Sequence, residues 1–205
     1  MMRLPSHFYA IVDPAGGHEP VRLAEIFLDA GARIMQLRLK DAPGRDFLAA
    51  ARAIAGLCRS RGAILIVNDR VDIAILAGAH GVHLGQEDLP LEAARRIAGP
   101  GRIIGISTHT VEQARAAENG GADYIGFGPM YSGGLKHIAA GMGLDRLRAM
   151  RAAVRIPIVA IGGITEARVA ETLAAGADAV AIITDVVNAP DIASKVRSLL
   201  ALARN

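Results

Sequence analysis

Short apolar runs that break off in polar or charged side chains, each followed by helically spaced aliphatic positions, recur along the whole chain. Phe8 to Asp13 reads as a strand by its β-branched and aromatic content and is closed by Pro14 to Gly17. Residues 20–30 then place Leu23, Ile26 and Phe27 at helical spacing, and Gly31 ends that helix. Ile34 to Lys40 is a second strand ending in charge, and an alanine-rich helix over 47–61 stops at Gly62. The alternation continues with strands at 64–69, 81–86, 103–108, 124–130, 157–163 and 179–184. The matching helices fall at 71–77, 90–98, 111–119, 143–154, 166–175 and 189–203. Eight unbroken βα units in 205 residues predict an α/β fold, a closed (β/α)8 TIM barrel spanning 1–205 as a single domain with its helices outside. An open doubly wound sheet fits less well. No Gly-x-Gly-x-x-Gly follows the first strand, and polar residues end nearly every strand rather than gathering at one switch point. Tyr131 to Gly141 is the one long connection, Gly-rich and placed where a substrate-covering loop belongs.

Composition narrows the chemistry. The chain is 52% hydrophobic but only 3% aromatic, and its net charge of +3 and pI of about 9.4 come from scattered arginines. Without a basic run interleaved with aromatics, a nucleic-acid partner is not expected; an anionic small molecule is. The single cysteine, Cys58, lies in an apolar helical stretch, where it reads as a structural thiol and implies a reducing, cytoplasmic setting. No basic-then-apolar leader and no apolar run of about 18 residues is present, so neither secretion nor membrane spanning is expected. Oligomeric state, including a homo-oligomer, stays open.

A parallel barrel presents its chemistry at the C-terminal ends of its strands, so the strand-end residues form one set. They are Gln36, Arg38 and Lys40 from strand two, Asn68 and Asp69 from three, Gln86, Glu87 and Asp88 from four, and Ser107 and Thr108 from five. Lys136 follows strand six, Gly162 and Gly163 follow seven, and Thr184 follows eight. Asp69 and Asp88, on neighbouring strands, suit a Mg2+ ion that shares its shell with a substrate phosphate. The competing reading is that each caps the helix it precedes. Gln36, Arg38 and Lys40 alternate and so share a face; they serve either an anionic substrate or internal ion pairs with Asp69 and Asp88. Gly162 and Gly163 before a helix suit phosphate binding by backbone N–H groups. His18, His80 and His83 read as packing or surface residues, and Thr110 with Gln113 as a capping box. His137, beside Lys136, is the histidine placed to meet a ligand.

Seven motifs in register resemble the thiamine phosphate synthase (thiamine-phosphate pyrophosphorylase) family over essentially the whole chain. They are Gln36-Leu-Arg-Leu-Lys40, Val67-Asn-Asp69, His83-Leu-Gly-Gln-Glu-Asp88, Gly105-Ile-Ser-Thr-His109, Gly126-Phe-Gly-Pro129, Ala160-Ile-Gly-Gly163 and Ile182-Ile-Thr184. The resemblance implies a transferase that joins hydroxymethylpyrimidine diphosphate to thiazole phosphate, giving thiamine phosphate and diphosphate through a dissociative, carbocation-like step. It implies Mg2+ at Asp69 and Asp88. It assigns the pyrimidine diphosphate to Gln36, Arg38, Lys40, Asn68, Ser107 and Lys136, with Arg38, Ser107 and Lys136 catalytic, and the thiazole phosphate to Gly163, Ile183 and Thr184. One departure stands out: Ser132-Gly-Gly-Leu-Lys136 replaces a Pro-Thr-x-Thr-Lys or Pro-Thr-x-Leu-Lys pattern, and Gly141 stands where proline is usual. Two rivals follow from that. A thiazole tautomerase relative resembles the synthase without the paired aspartates and with a histidine where Pro129 stands here; a non-catalytic barrel would bind thiazole or thiamine phosphate without turnover.

Overall fold

The computed structural model describes residues 2–131 and 141–202. Its eight strands are β1 (Phe8–Val12), β2 (Ile34–Leu37), β3 (Ile64–Asn68), β4 (Gly81–Leu84), β5 (Ile103–Thr108), β6 (Tyr124–Phe127), β7 (Ile158–Ile161) and β8 (Ala179–Ile182). All pair in parallel and in sequence order, and β8 pairs with β1, which closes the barrel. The outer ring is α1 (Pro20–Asp29), α2 (Gly44–Arg61), α3 (Val71–Leu76), α4 (Leu91–Ala98), α5 (Val111–Asn119), α6 (Gly143–Ala153), α7 (Val169–Ala174), α8 (Thr184–Val187) and α9 (Ile192–Leu202).

The period-two alternation of each strand divides its side chains between two apolar layers. In β1, Phe8, Ala10 and Val12 join the large outer layer against the helices. Tyr9 and Ile11 join the small inner one with Ile34, Ile66, Tyr124, Val159, Ala179 and Ala181. Bulky inward rings need space opposite them, and glycine provides it. A Cβ at Gly105 would lie 2.1 Å from the Tyr124 ring, and one at Gly126 would lie 3.0 Å from His83.

The strands are shorter at their C-terminal ends than the polarity pattern predicts. β2 stops at Leu37, β4 at Leu84, β6 at Phe127, β7 at Ile161 and β8 at Ile182. The inward and outward alternation continues past the last ladder hydrogen bond, so sequence period alone overshoots the pairing. The Arg38 N–H still donates to Val12 O at 2.9 Å, carrying β2 one hydrogen bond past Leu37. The expected helix over 189–203 is α9, which starts at Ile192 just past Pro190, a residue that disfavours helical backbone at the position before it; α8, directly after β8, is a further short helix that the period did not indicate. The long connection after β6 is described only at its ends, Met130 to Tyr131 and Gly141 to Met142. Among the described residues no helix is long and apolar enough to cross a membrane.

Candidate active site

A cavity of about 570 Å³ opens at the C-terminal end of the barrel. Its floor is a line of buried polar groups running across the interior from β2 to β5. Gln36 Nε2 donates to the Tyr9 hydroxyl at 3.2 Å, the Tyr9 and Tyr124 hydroxyls are 2.8 Å apart, and Tyr124 lies 3.0 Å from His83 Nδ1. His83 Nε2 lies 2.9 Å from Ser107 Oγ. Burial holds His83 down at about 4, so its imidazole is neutral, and burial raises both tyrosines above their ordinary value. Proton bookkeeping then has a direction, because an amide nitrogen can only donate. Tyr9 accepts from Gln36 and donates to Tyr124, which donates to His83 Nδ1; the remaining imidazole proton goes from Nε2 to Ser107. The reverse order would strand the Tyr9 proton, buried, without an acceptor. Ser107 is left with its own O–H free to donate into the cavity.

The rim carries the charge. Arg38 and Lys40 both line the cavity, as their alternation with Gln36 requires. Arg38 pairs at 2.5 Å with Asp13, a buried carboxylate that also accepts from the Ala15 N–H at 2.9 Å. The anticipated ion pairs of Arg38 and Lys40 with Asp69 and Asp88 are therefore not the arrangement found: Asp13 takes Arg38. Lys40 enters no ion pair among the described residues, though its charge stabilises the Asp69 carboxylate.

Asp69 and Asp88 meet across the ends of β3 and β4. Neither caps a helix. The N-cap positions of α3 and α4 are Arg70 and Pro90, without side-chain cap bonds, and Asp88 instead accepts the Gly85 N–H at 2.7 Å. Asp69 has φ 62, the only positive φ outside glycine among the described residues. A strained backbone that aims a carboxylate into a pocket is a mark of a functional position. Burial first, and the neighbouring Asp88 second, push Asp69 up to about 6.

A second cavity of about 820 Å³ abuts the first, sharing Ile161 and Ala181 as a common wall. It is lined by Gly162, Gly163, Ile183 and Thr184, together with Pro129, Tyr131, Arg168 and Lys195. Gly162 and Gly163 have φ 96 and 67, and a Cβ on either would strike the Pro129–Tyr131 backbone within 2.7 Å. Only glycine allows this turn to pack so closely beneath that segment.

Among the residues singled out from sequence, the first cavity gathers Gln36, Arg38, Lys40, Asn68, Asp69, Gln86, Glu87, Asp88 and Ser107. The second gathers Gly162, Gly163, Ile183 and Thr184. Thr108 points elsewhere and donates to Gly126 O at 3.1 Å. Lys136 and His137 lie outside the described residues, as do Ser132 to Leu135. Sequence reasoning passed over Asp13, Tyr9, Tyr124 and the His83 contact with Ser107. His109 also lines the first cavity and bonds Gly128 O at 2.7 Å. The capping box forms with a shift: Thr110 accepts the Gln113 N–H at 3.2 Å, but Gln113 Oε1 reaches back to the His109 N–H at 2.7 Å.

A closed (β/α)8 barrel with paired carboxylates, cationic side chains and a glycine turn gathered at its strand ends is that of a barrel enzyme for phosphorylated small molecules. Comparison with known proteins gives the particular one. A profile of the thiamine monophosphate synthase family matches residues 8–186. The thiamine-phosphate synthase of Moorella thermoacetica is 48% identical over 185 residues, covering 90% of this chain and 88% of that protein. That of Methanoculleus marisnigri is 50% identical over 184 residues, covering 89% and 87%. A solved thiamine phosphate pyrophosphorylase from Pyrococcus furiosus superposes with a TM-score of 0.89 at 38% identity, covering 96% of this chain and 94% of that one. The chain belongs to the thiamine monophosphate synthase family, and its activity is the transferase reaction that makes thiamine phosphate.

Proposed function

We propose that the first cavity holds hydroxymethylpyrimidine diphosphate, the second holds thiazole phosphate, and the two react across the Ile161–Ala181 wall. The observation that carries this reading is the contact of the two cavities: a cavity with Arg38, Lys40 and paired aspartates lies against one with a glycine turn suited to a single phosphate.

Loss of diphosphate from an electron-rich pyrimidine methylene leaves a carbocation-like centre. The C–O bond breaks with its electron pair leaving on diphosphate, and the thiazole nitrogen supplies the pair for the new C–N bond. A protein assists such a step by stabilising the departing charge and keeping water out. Arg38 and Lys40, with Lys136, are assigned to the departing diphosphate. Arg38 is fixed for that role by its bond to Asp13. Gln36, Asn68 and the free Ser107 hydroxyl are assigned to the pyrimidine diphosphate. No side-chain nucleophile is called for, and the neutral His83 serves the floor, holding Ser107.

The donor set at Asp69 and Asp88 fits a hard divalent cation. Two carboxylates are forced together with one held up at about 6, and among the described residues no third acidic or imidazole ligand joins them. A pair of this kind suits Mg2+, which keeps several positions for water and substrate phosphate. Mg2+ when bound would supply charge neutralisation for the leaving diphosphate.

Incubating the purified protein with both substrates and Mg2+ tests the reading. Thiamine phosphate and diphosphate are expected in equal amounts, with no diphosphate from either substrate alone. Rearrangement of the thiazole without condensation, or tight binding of thiazole phosphate without diphosphate release, would replace it with one of the two rival activities.

A further inference from the structure

Among the described residues two cations line the second cavity, and their surroundings differ. Lys195 is held at 2.8 Å by Glu166 and at 3.0 Å by Asp185, so its charge is already met. Among the described residues Asp185 is the one carboxylate lining the cavity; it is satisfied by Lys195 and by the Glu166 N–H at 3.0 Å. Arg168 enters no ion pair among the described residues. Its guanidinium carbon lies over the Tyr131 ring, 4.1 Å from the centroid, and one terminal nitrogen donates to Gly163 O at 3.1 Å. Tyr131 is itself fixed, its hydroxyl donating to Glu171 at 2.7 Å. A guanidinium so held has lost most of its rotamer freedom in advance and keeps further N–H donors in a planar fork. Those donors stand beside the Gly162–Gly163 turn, at the mouth of a cavity with no other unmet charge on the described residues.

We propose that Arg168 is a specificity-determining residue of the second cavity, donating to the phosphate of the thiazole substrate alongside the Gly162–Gly163 amides. This rests on the assignment of thiazole phosphate to that cavity. Arg168 would thereby select the phosphorylated thiazole over its free alcohol, because a phosphate monoester meets a guanidinium fork with two oxygens and an alcohol cannot.

Calorimetric binding of thiazole phosphate and of the unphosphorylated thiazole alcohol to wild type, Arg168→Gln and Arg168→Lys tests the proposal. Charge-assisted hydrogen bonds of this kind correspond to roughly 10- to 150-fold in affinity. Arg168→Gln is expected to weaken thiazole phosphate by that factor, leave the alcohol within about twofold, and leave KM for the pyrimidine diphosphate unchanged. Arg168→Lys, which keeps the charge but loses the fork, should fall between. Equal weakening of phosphate and alcohol would make Arg168 a wall of the cavity and overturn the proposal, as would unchanged phosphate affinity in Arg168→Gln. Failure of wild type to bind thiazole phosphate at all would overturn the substrate assignment first and the proposal with it.

Discussion

Asp69 concentrates the cost of the site in one residue. Its left-handed backbone and its proximity to Asp88 are both unfavourable in the protein alone, and a cation held by the pair would offset the repulsion between the two carboxylates. Asn tolerates the same backbone as Asp, so Asp69→Asn removes the charge without moving the chain. We expect Asp69→Asn and Asp88→Asn to lower turnover by at least about 100-fold while the far-ultraviolet circular dichroism is unchanged. A carboxyl raised in the folded state stabilises below its ordinary value and loses that contribution as pH rises to about 6. Metal-free Asp69→Asn should therefore melt above the metal-free wild type at pH 7.5; a lower melting temperature would argue that Asp69 is structural. His83 runs the other way. Its folded-state value of about 4 lies below the ordinary imidazole value, so the unfolded chain takes up a proton first, and stability present above pH 6.5 is lost as pH falls towards 4. Urea unfolding of wild type and His83→Gln at pH 7 and pH 4.5 should show the wild type losing roughly 2–3 kcal/mol more. Parallel losses would mean that His83 is protonated in the folded protein.

The elements were legible in sequence wherever an apolar run met a turn residue, and their boundaries failed where polar residues kept the strand period. Gln36, Arg38 and Lys40 share a face in fact, yet the ladder stops at Leu37 and the two cations stand on an extension. The aspartate closing β1 carries the same signature as Asp69, an apolar run ending in a carboxylate, so Asp13 could have been collected with the others. His83 was harder. A histidine inside a strand reads as packing, and only the closed barrel shows that the glycine at 126 makes its space and that Ser107 lies within reach. Glycines with opposite roles give an element-scale test. Gly56, within α2, has open space within 4 Å of where a methyl would stand, whereas a methyl at Gly105 in β5 would enter the Tyr124 ring. Gly56→Ala should stabilise by about 0.5–1 kcal/mol through helix propensity. Gly105→Ala should destabilise by about 1–3 kcal/mol and weaken pyrimidine diphosphate binding, since Tyr124 is tied to both Tyr9 and His83. Denaturant midpoints for the two variants check the sign of each.

At the scale of the whole molecule, barrel closure is what turns separated strand ends into two touching cavities. No two of Gln36, Asp69, Asp88, Ser107, Gly163 and Thr184 share a strand, and only the parallel order with β8 against β1 brings them to one rim. Repetition of the βα unit made that order readable from the chain. Which of the gathered residues touch one another was not readable, because cross-barrel contacts such as Gln36 with Tyr9 and Tyr9 with Tyr124 depend on side-chain size in layers that period alone does not rank. Buried Cys58, raised to about 11 by burial, is the structural thiol that its setting indicated. Diphosphate departure, in the mechanism proposed above, depends on a metal held by the paired aspartates at the ends of β3 and β4. The initial rate of thiamine phosphate formation, measured against Mg2+ concentration for wild type and Asp88→Asn with both substrates saturating, tests this directly. Wild type should show a saturable Mg2+ dependence and no product in chelator, and the variant should be slower by about 100-fold or more or need far higher Mg2+. Equal rates for the two proteins at limiting Mg2+ would contradict it.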